Sequence, residues 1–134
     1  SYTGVGDLLQ QAFERMVEAG LEASGPPFAL FYDDPGVVPA DELCMRACFP
    51  VEPGASVPPP LLSAALPSTT VVYGFVGGPY PEVPRAYPRL FAFLEELGWV
   101  LDGPIREIYL VNPSTVADWD ELAAEVQLPA TSGR

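Results

Sequence analysis

The stretch GPIREIYLVNP, residues 103–113, decides the fold. Read as a strand, it sends Ile105, Glu107, Tyr109 and Val111 to one side and Arg106, Ile108 and Leu110 to the other. Both sides are apolar enough to be covered, so Glu107 puts a carboxylate where a sheet closes on a core.

Working outward, the same pattern occurs earlier as GPPFALFYDDP, residues 25–35. A shift of 78 positions aligns Phe13 with Phe91, Met16 with Leu94, Gly20 with Gly98, Gly25 with Gly103, Pro26 with Pro104 and Pro35 with Pro113. One added residue in the second turn brings Glu42 and Leu43 onto Glu121 and Leu122, and Pro50 onto Pro129. Each copy contains an amphipathic helix and two strands. In the first helix the stripe is Leu9, Phe13, Met16 and Val17; in the second, RAYPRLFAFLEELGW, it is Tyr87, Leu90, Phe91, Leu94 and Leu97. CMRACFPV and AAEVQLP are the closing strands, and TTVVYGFV is a strand by its β-branched and aromatic content.

The expected architecture is α+β: a pseudo-two-fold duplication of a strand–helix–strand–strand unit within one domain of residues 1–134. The units span about 1–51 and 68–130, joined by a proline-rich connector over 52–67. Only SYTGV precedes the first helix, so the opening strand of the first unit is read as missing or reduced to a stub over Ser1 to Val5, with further chain expected upstream.

Composition narrows the function. The 134 residues are 49% hydrophobic and 18% charged, enough apolar content for a real core. A formal net charge of −12 disfavours direct nucleic-acid binding by this segment and favours cationic small molecules or basic partners. With no histidine, histidine-based triads and the usual zinc ligand are excluded, and neither metal nor cofactor is expected. No apolar run reaches the ~18 residues of a membrane span, and a cytoplasmic protein is expected. Cys44 and Cys48 would share a strand face roughly 13 Å apart, too far for a disulfide, and are read as buried free thiols.

The run GGPYPEVPRAYPRLFAFLEELGWVLDGPIREIYLVNP, residues 77–113, followed by DELAAEVQLP, residues 120–129, resembles the GyrI-like small-molecule-binding domain. This is the effector-binding domain of multidrug-responsive transcription regulators. The resemblance rests on the ordered series Gly-Pro-Tyr, Gly-Trp, Gly-Pro, Glu-Ile-Tyr and Asn-Pro. It implies antiparallel sheets forming a ligand groove with helices packed behind, and hydrophobic, often cationic or aromatic ligands. It also implies a glutamate on the strand after the second helix as counter-charge, which is Glu107 here. Relatives include proteins joined to an upstream DNA-binding domain, gyrase inhibitors and hydrolases of cyclopropane-bearing antibiotics; in the last case Glu107 would serve as the catalytic carboxylate.

If Ile108 and Leu110 pack on the helices, the groove face presents Ile105, Glu107 and Tyr109, with Ala29 and Phe31 from the first unit. Tyr73, Phe75, Tyr80 and Trp99 could extend the wall, and Trp119 could cap the groove or a partner interface. Arg46 and Glu125 occupy equivalent positions with opposite charge. Glu107 could instead form an ion pair with Arg46 or Arg106. Gly77 and Gly78 suit a tight turn better than phosphate binding, and Asp33 and Asp34 suit an Asp-Asp-Pro turn better than a metal site.

Overall fold

The computed structural model describes residues 2–34, 37–39 and 42–133. Its order is α1 (Tyr2–Glu18), β1 (Phe28–Phe31), β2 (Met45–Cys48), β3 (Val71–Gly77), a 3-10 segment (Tyr80–Ala86), α2 (Tyr87–Glu96), β4 (Trp99–Leu101), β5 (Ile105–Tyr109) and β6 (Ala123–Ser132). The architecture is α+β, as expected. Tyr2 to Val5 lie in α1 rather than in a stub of strand. Pro35, and with it part of the Asp-Asp-Pro turn and of the repeat match, lies outside the described residues; Asp33 accepts the Cys44 N–H at 2.9 Å.

All strand pairs are antiparallel, in the order β2-β1-β5-β6-β3, with β4 also paired to β6. Residues 49–70 contain no helix or strand. Each helix is followed by a glycine with φ near 71°, Gly20 after α1 and Gly98 after α2. A left-handed residue there turns the chain back, and glycine adopts it without a Cβ clash. The helix expected from Arg85 begins as a tighter 3-10 segment because Pro81 and Pro84 cannot donate the bonds of an α-helix interior. The expected helix runs to Trp99, with no element assigned to Val100 and Leu101; in the structure these three residues form β4.

The strand register fixes which residues share a face. Opposed residues in antiparallel strands point the same way, so Ala47, Ala29, Glu107, Val126 and Gly74 form one row. Phe31, Ile105 and Leu128 lie in a parallel row on that face, and all three are buried. This face meets the helices: Val5 of α1, Val83, Tyr87 and Leu94 join Ala29, Phe31, Ile105, Tyr109, Val126 and Leu128 in the core. Leu90 of α2 lies close enough over Gly74 that a Cβ there would meet it at 3.1 Å.

The two faces are therefore exchanged relative to the sequence reading. Ile105, Glu107 and Tyr109 face the helices, while the alternation sends Arg106 and Ile108 to the other side. Alternation fixes parity, not which parity meets the helices; the less polar set of β1, β5 and β6 together decides it. Cys48 is partly buried, but Cys44 is exposed, so the expectation of two buried thiols fails for Cys44, which stands just outside β2. Burial raises the Cys48 thiol pKa, against the opposing influence of Arg46. Among the described residues no helix is long and apolar enough to cross a membrane.

Candidate functional site

The β5 alternation and the row of small neighbours place Glu107. Ala29 on one side and Val126 on the other leave room for a carboxylate that is 0% exposed. It accepts hydrogen bonds from the Tyr87 hydroxyl at the start of α2 and from the Tyr109 hydroxyl on its own strand, the latter at 2.9 Å. Hydrogen bonds to an ionised acceptor offset much of the penalty of removing it from water. Arg46 and Arg106 project from the opposite face, so the hydrogen-bonded partners of Glu107 seen here are tyrosines.

Tyr109 both donates to this carboxylate and lines an open groove. The groove has a volume of about 1150 Å³ and is walled by Val5, Leu9 and Phe13 of α1, Pro26 and Pro27, Phe49, Tyr80, the segment from Tyr109 to Ser114, and Trp119. Tyr109 is 4% exposed, and its ring lies 4.8 Å, centroid to centroid, from that of Tyr80. Tyr80 is itself fixed: its hydroxyl donates to the Val111 carbonyl at 2.6 Å, lies 3.2 Å from the Ala123 carbonyl and accepts the Val111 N–H at 3.1 Å. Burial raises the Tyr80 pKa, and the bonds to Val111 and Ala123 partly oppose the rise.

Two polar turns carry the rim. The Asn112 side chain accepts the Ser114 N–H at 3.0 Å, shaping the Asn-Pro-Ser segment beside the groove. In the sequence DWDE, Asp118 accepts the Asp120 N–H at 3.0 Å while Glu121 accepts the N–H of Asp118 at 2.9 Å. This reciprocal cap holds a single 3-10 turn, from which Trp119 reaches the groove while remaining 64% exposed.

Of the residues singled out from sequence, Glu107, Tyr109 and Tyr80 are brought together here. Ala29, Ile105 and Phe31 lie on the same face but inside the core, behind the groove rather than on its surface. Tyr73 and Phe75 are corrections. They form an edge-to-face pair on the opposite side of the sheet, 59% and 67% exposed, because Tyr73 opposes Gln127 and Phe75 opposes Glu125. Glu125 and Arg46 are on that opposite side too: Glu125 accepts from the Gln127 side chain at 2.5 Å, and Arg46 lies 5.8 Å from the centroid of Tyr32. Trp99 is on β4 and packs partly against the core without lining the groove.

Sequence reasoning assigned Phe13 and Tyr87 to helix packing stripes and gave Phe49 no role. Phe13 and Phe49 lie 6.1 Å apart, centroid to centroid, at the α1 end of the groove. Tyr87 had a usable signal: a tyrosine in an otherwise Leu/Phe stripe buries a hydroxyl that must find an acceptor. In the structure that acceptor is Glu107, 20 residues further along the chain.

A helix-backed antiparallel sheet with an aromatic groove and, among the described residues, one buried carboxylate defines a small-molecule-binding domain of α+β type. The chain belongs to the GyrI-like family, matching the GyrI-like small molecule binding domain over residues 1–131. Among solved structures it is similar to the chain in "Cryo-EM structure of EcmrR-DNA complex in EcmrR-RPo", at TM-score 0.87 and 21% identity, over 98% of this chain and 50% of that one. It is also similar to the crystal structure of the EcmrR C-terminal domain, at TM-score 0.76 and 22% identity, over 96% of this chain and 78% of that one. The chain thus spans half the length of the DNA-complexed protein it resembles. No curated protein sequence matches it.

Proposed function

We propose that the groove binds lipophilic small molecules, aromatic and cationic ones in particular, with Glu107 as the counter-charge for cations, and that the domain senses such ligands for a transcription regulator. The observation that carries this reading is the convergence of Phe13, Phe49, Tyr80, Tyr109 and Trp119 on one groove, with a buried carboxylate hydrogen-bonded to Tyr109. Aromatic walls supply large contact area at low conformational cost, and each favourably placed ring adds about 0.5–2 kcal/mol toward a cation. The similarity to a protein seen in a DNA complex supports the sensing role.

Trp119 provides the test. Titration with a rhodamine dye quenches tryptophan fluorescence with micromolar affinity, the response is lost in Trp119→Phe, and the affinity falls at least about tenfold in Glu107→Gln. Absence of any binding to the wild-type protein refutes the proposal; binding unaffected by Glu107→Gln removes the counter-charge from it.

A further inference from the structure

The side of the sheet turned away from the helices has a composition unlike the rest of this acidic chain. Across the strands its residues form two rows. One runs Arg46, Leu30, Arg106, Gln127 and Tyr73 from β2 to β3; the other runs Cys48, Phe28, Ile108, Glu125 and Phe75. Glu125 is the single carboxylate in these rows, although the chain carries 18 Asp and Glu. Tyr73 and Phe75 stand 59% and 67% exposed. Arginine and aromatic side chains with few acids are the make-up of a protein interface rather than of a solvated acidic surface.

These residues are also sorted by position. Phe28, Leu30 and Arg106 lie on the β1–β5 half, whereas Glu125, Gln127, Tyr73 and Phe75 lie on the β6–β3 half. Within one copy Arg106 opposes Gln127 and Glu125 opposes Ile108, so the register sets the two ions one pair apart. Among the described residues neither Arg46 nor Arg106 forms a salt bridge.

We infer that this face is a self-complementary interface at which two copies of the chain pack sheet against sheet. A two-fold axis parallel to the strands and placed over the β5–β6 boundary lays β5 of one copy on β6 of the other, and β1 on β3. Leu30 then meets Tyr73 of the second copy and Phe28 meets its Phe75. Arg106 comes onto Gln127 and within side-chain reach of Glu125 of the second copy, and symmetry makes each contact twice. Arg46, one strand further out, comes beside the ring of Tyr73 of the second copy, where a cation–π contact is available. The groove is walled by α1 on the other side, so self-association leaves it open. Each copy carries a formal net charge of −12, so long-range repulsion opposes the encounter and salt that screens it favours the dimer. A face about four strands wide is at the small end for stable association, which sets a self-affinity in the micromolar range.

Sedimentation velocity from roughly micromolar to millimolar protein concentration, in about 0.3 M sodium chloride, tests the inference. The wild-type chain passes from monomer to dimer. Arg106→Glu and Glu125→Arg each weaken the dimer at least about tenfold, and the double swap restores it to within about threefold. Phe75→Ser, at an exposed position, weakens it about tenfold and keeps the test valid should Arg106→Glu fail to fold. Arg89→Glu, on the exposed side of α2, makes the same change in net charge as Arg106→Glu and leaves the dimer within about threefold. A wild-type chain that stays monomeric throughout overturns the inference. So does a dimer indifferent to Phe75→Ser, or a double swap that fails to recover what the single variants lose.

Discussion

The two faces of the sheet use similar residues to different ends. On the helix-bearing face, Glu107 is enclosed with Tyr87 and Tyr109; on the opposite face, Glu125, Tyr73 and Phe75 stand at comparable spacing, yet both aromatics are largely exposed. An acid and two aromatics do not make a site by being close in sequence or in register. What distinguishes the first set is enclosure: the helices remove water, which makes each hydroxyl-to-carboxylate bond count and makes a missing one expensive. On the open face water can serve every polar atom that the protein does not.

Ala29 stands directly opposite Glu107 on the enclosed face, whereas Tyr73 stands opposite Gln127 on the open one. Ala29→Asp places a second carboxylate beside the first without water, and the expected loss of stability exceeds about 4 kcal/mol. Tyr73→Asp, at 59% exposure, costs about 1 kcal/mol through strand preference and lost ring contact. Urea unfolding measures both, and comparable losses would show that enclosure does not separate the faces.

That pairing also changes how the sequence is understood. The 78-residue shift relates Ala29 to Glu107, and these are the two residues that face each other across β1 and β5. Carboxylates at both positions would be adjacent and buried, so at most one can be carried. The alanine is what makes the glutamate tolerable. The helices, the main strands and the odd carboxylate were legible because 3.6- and 2-residue periods are local properties of the chain. The side of the sheet that the helices cover was not, because both parities of β5 are apolar; assigning Tyr73 and Phe75 to the groove followed from that ambiguity. Phe13 and Phe49 come together only through the packing of α1 beside β2, a contact between segments that no local pattern announces.

The two faces differ also at the level of single hydrogen bonds. Tyr87→Phe keeps the ring in the core and removes only the hydroxyl that Glu107 accepts from. The expected loss is about 1.5–3 kcal/mol, the range for a hydrogen bond to a buried charged group. The open-face equivalent is Gln127, which donates to Glu125 at 2.5 Å in a partly buried setting. Gln127→Ala should cost under about 1 kcal/mol, because water replaces the lost donor. Denaturation midpoints of the two variants at equal slope decide it; a larger loss for Gln127→Ala would reverse the assignment of the strong polar contact to the helix-bearing face.

The smallest effect tests whether enclosure weakens gradually toward the groove mouth. Tyr80 lies there, and burial raises its pKa above the ordinary value of 10.0. Its contribution to stability is therefore fully present below pH 10, where folded and unfolded chains both hold the proton. As pH rises further, the unfolded chain releases the proton first, and the contribution declines until the raised folded value is passed. Partial exposure keeps the effect modest through solvent screening. The informative quantity is the stability difference between wild type and Tyr80→Phe, followed from about pH 9 to about pH 11. That difference should move in favour of the phenylalanine variant as the medium becomes more alkaline. A flat difference would mean that the Tyr80 hydroxyl is as well solvated in the folded protein as in the unfolded one, and that enclosure ends at Tyr109.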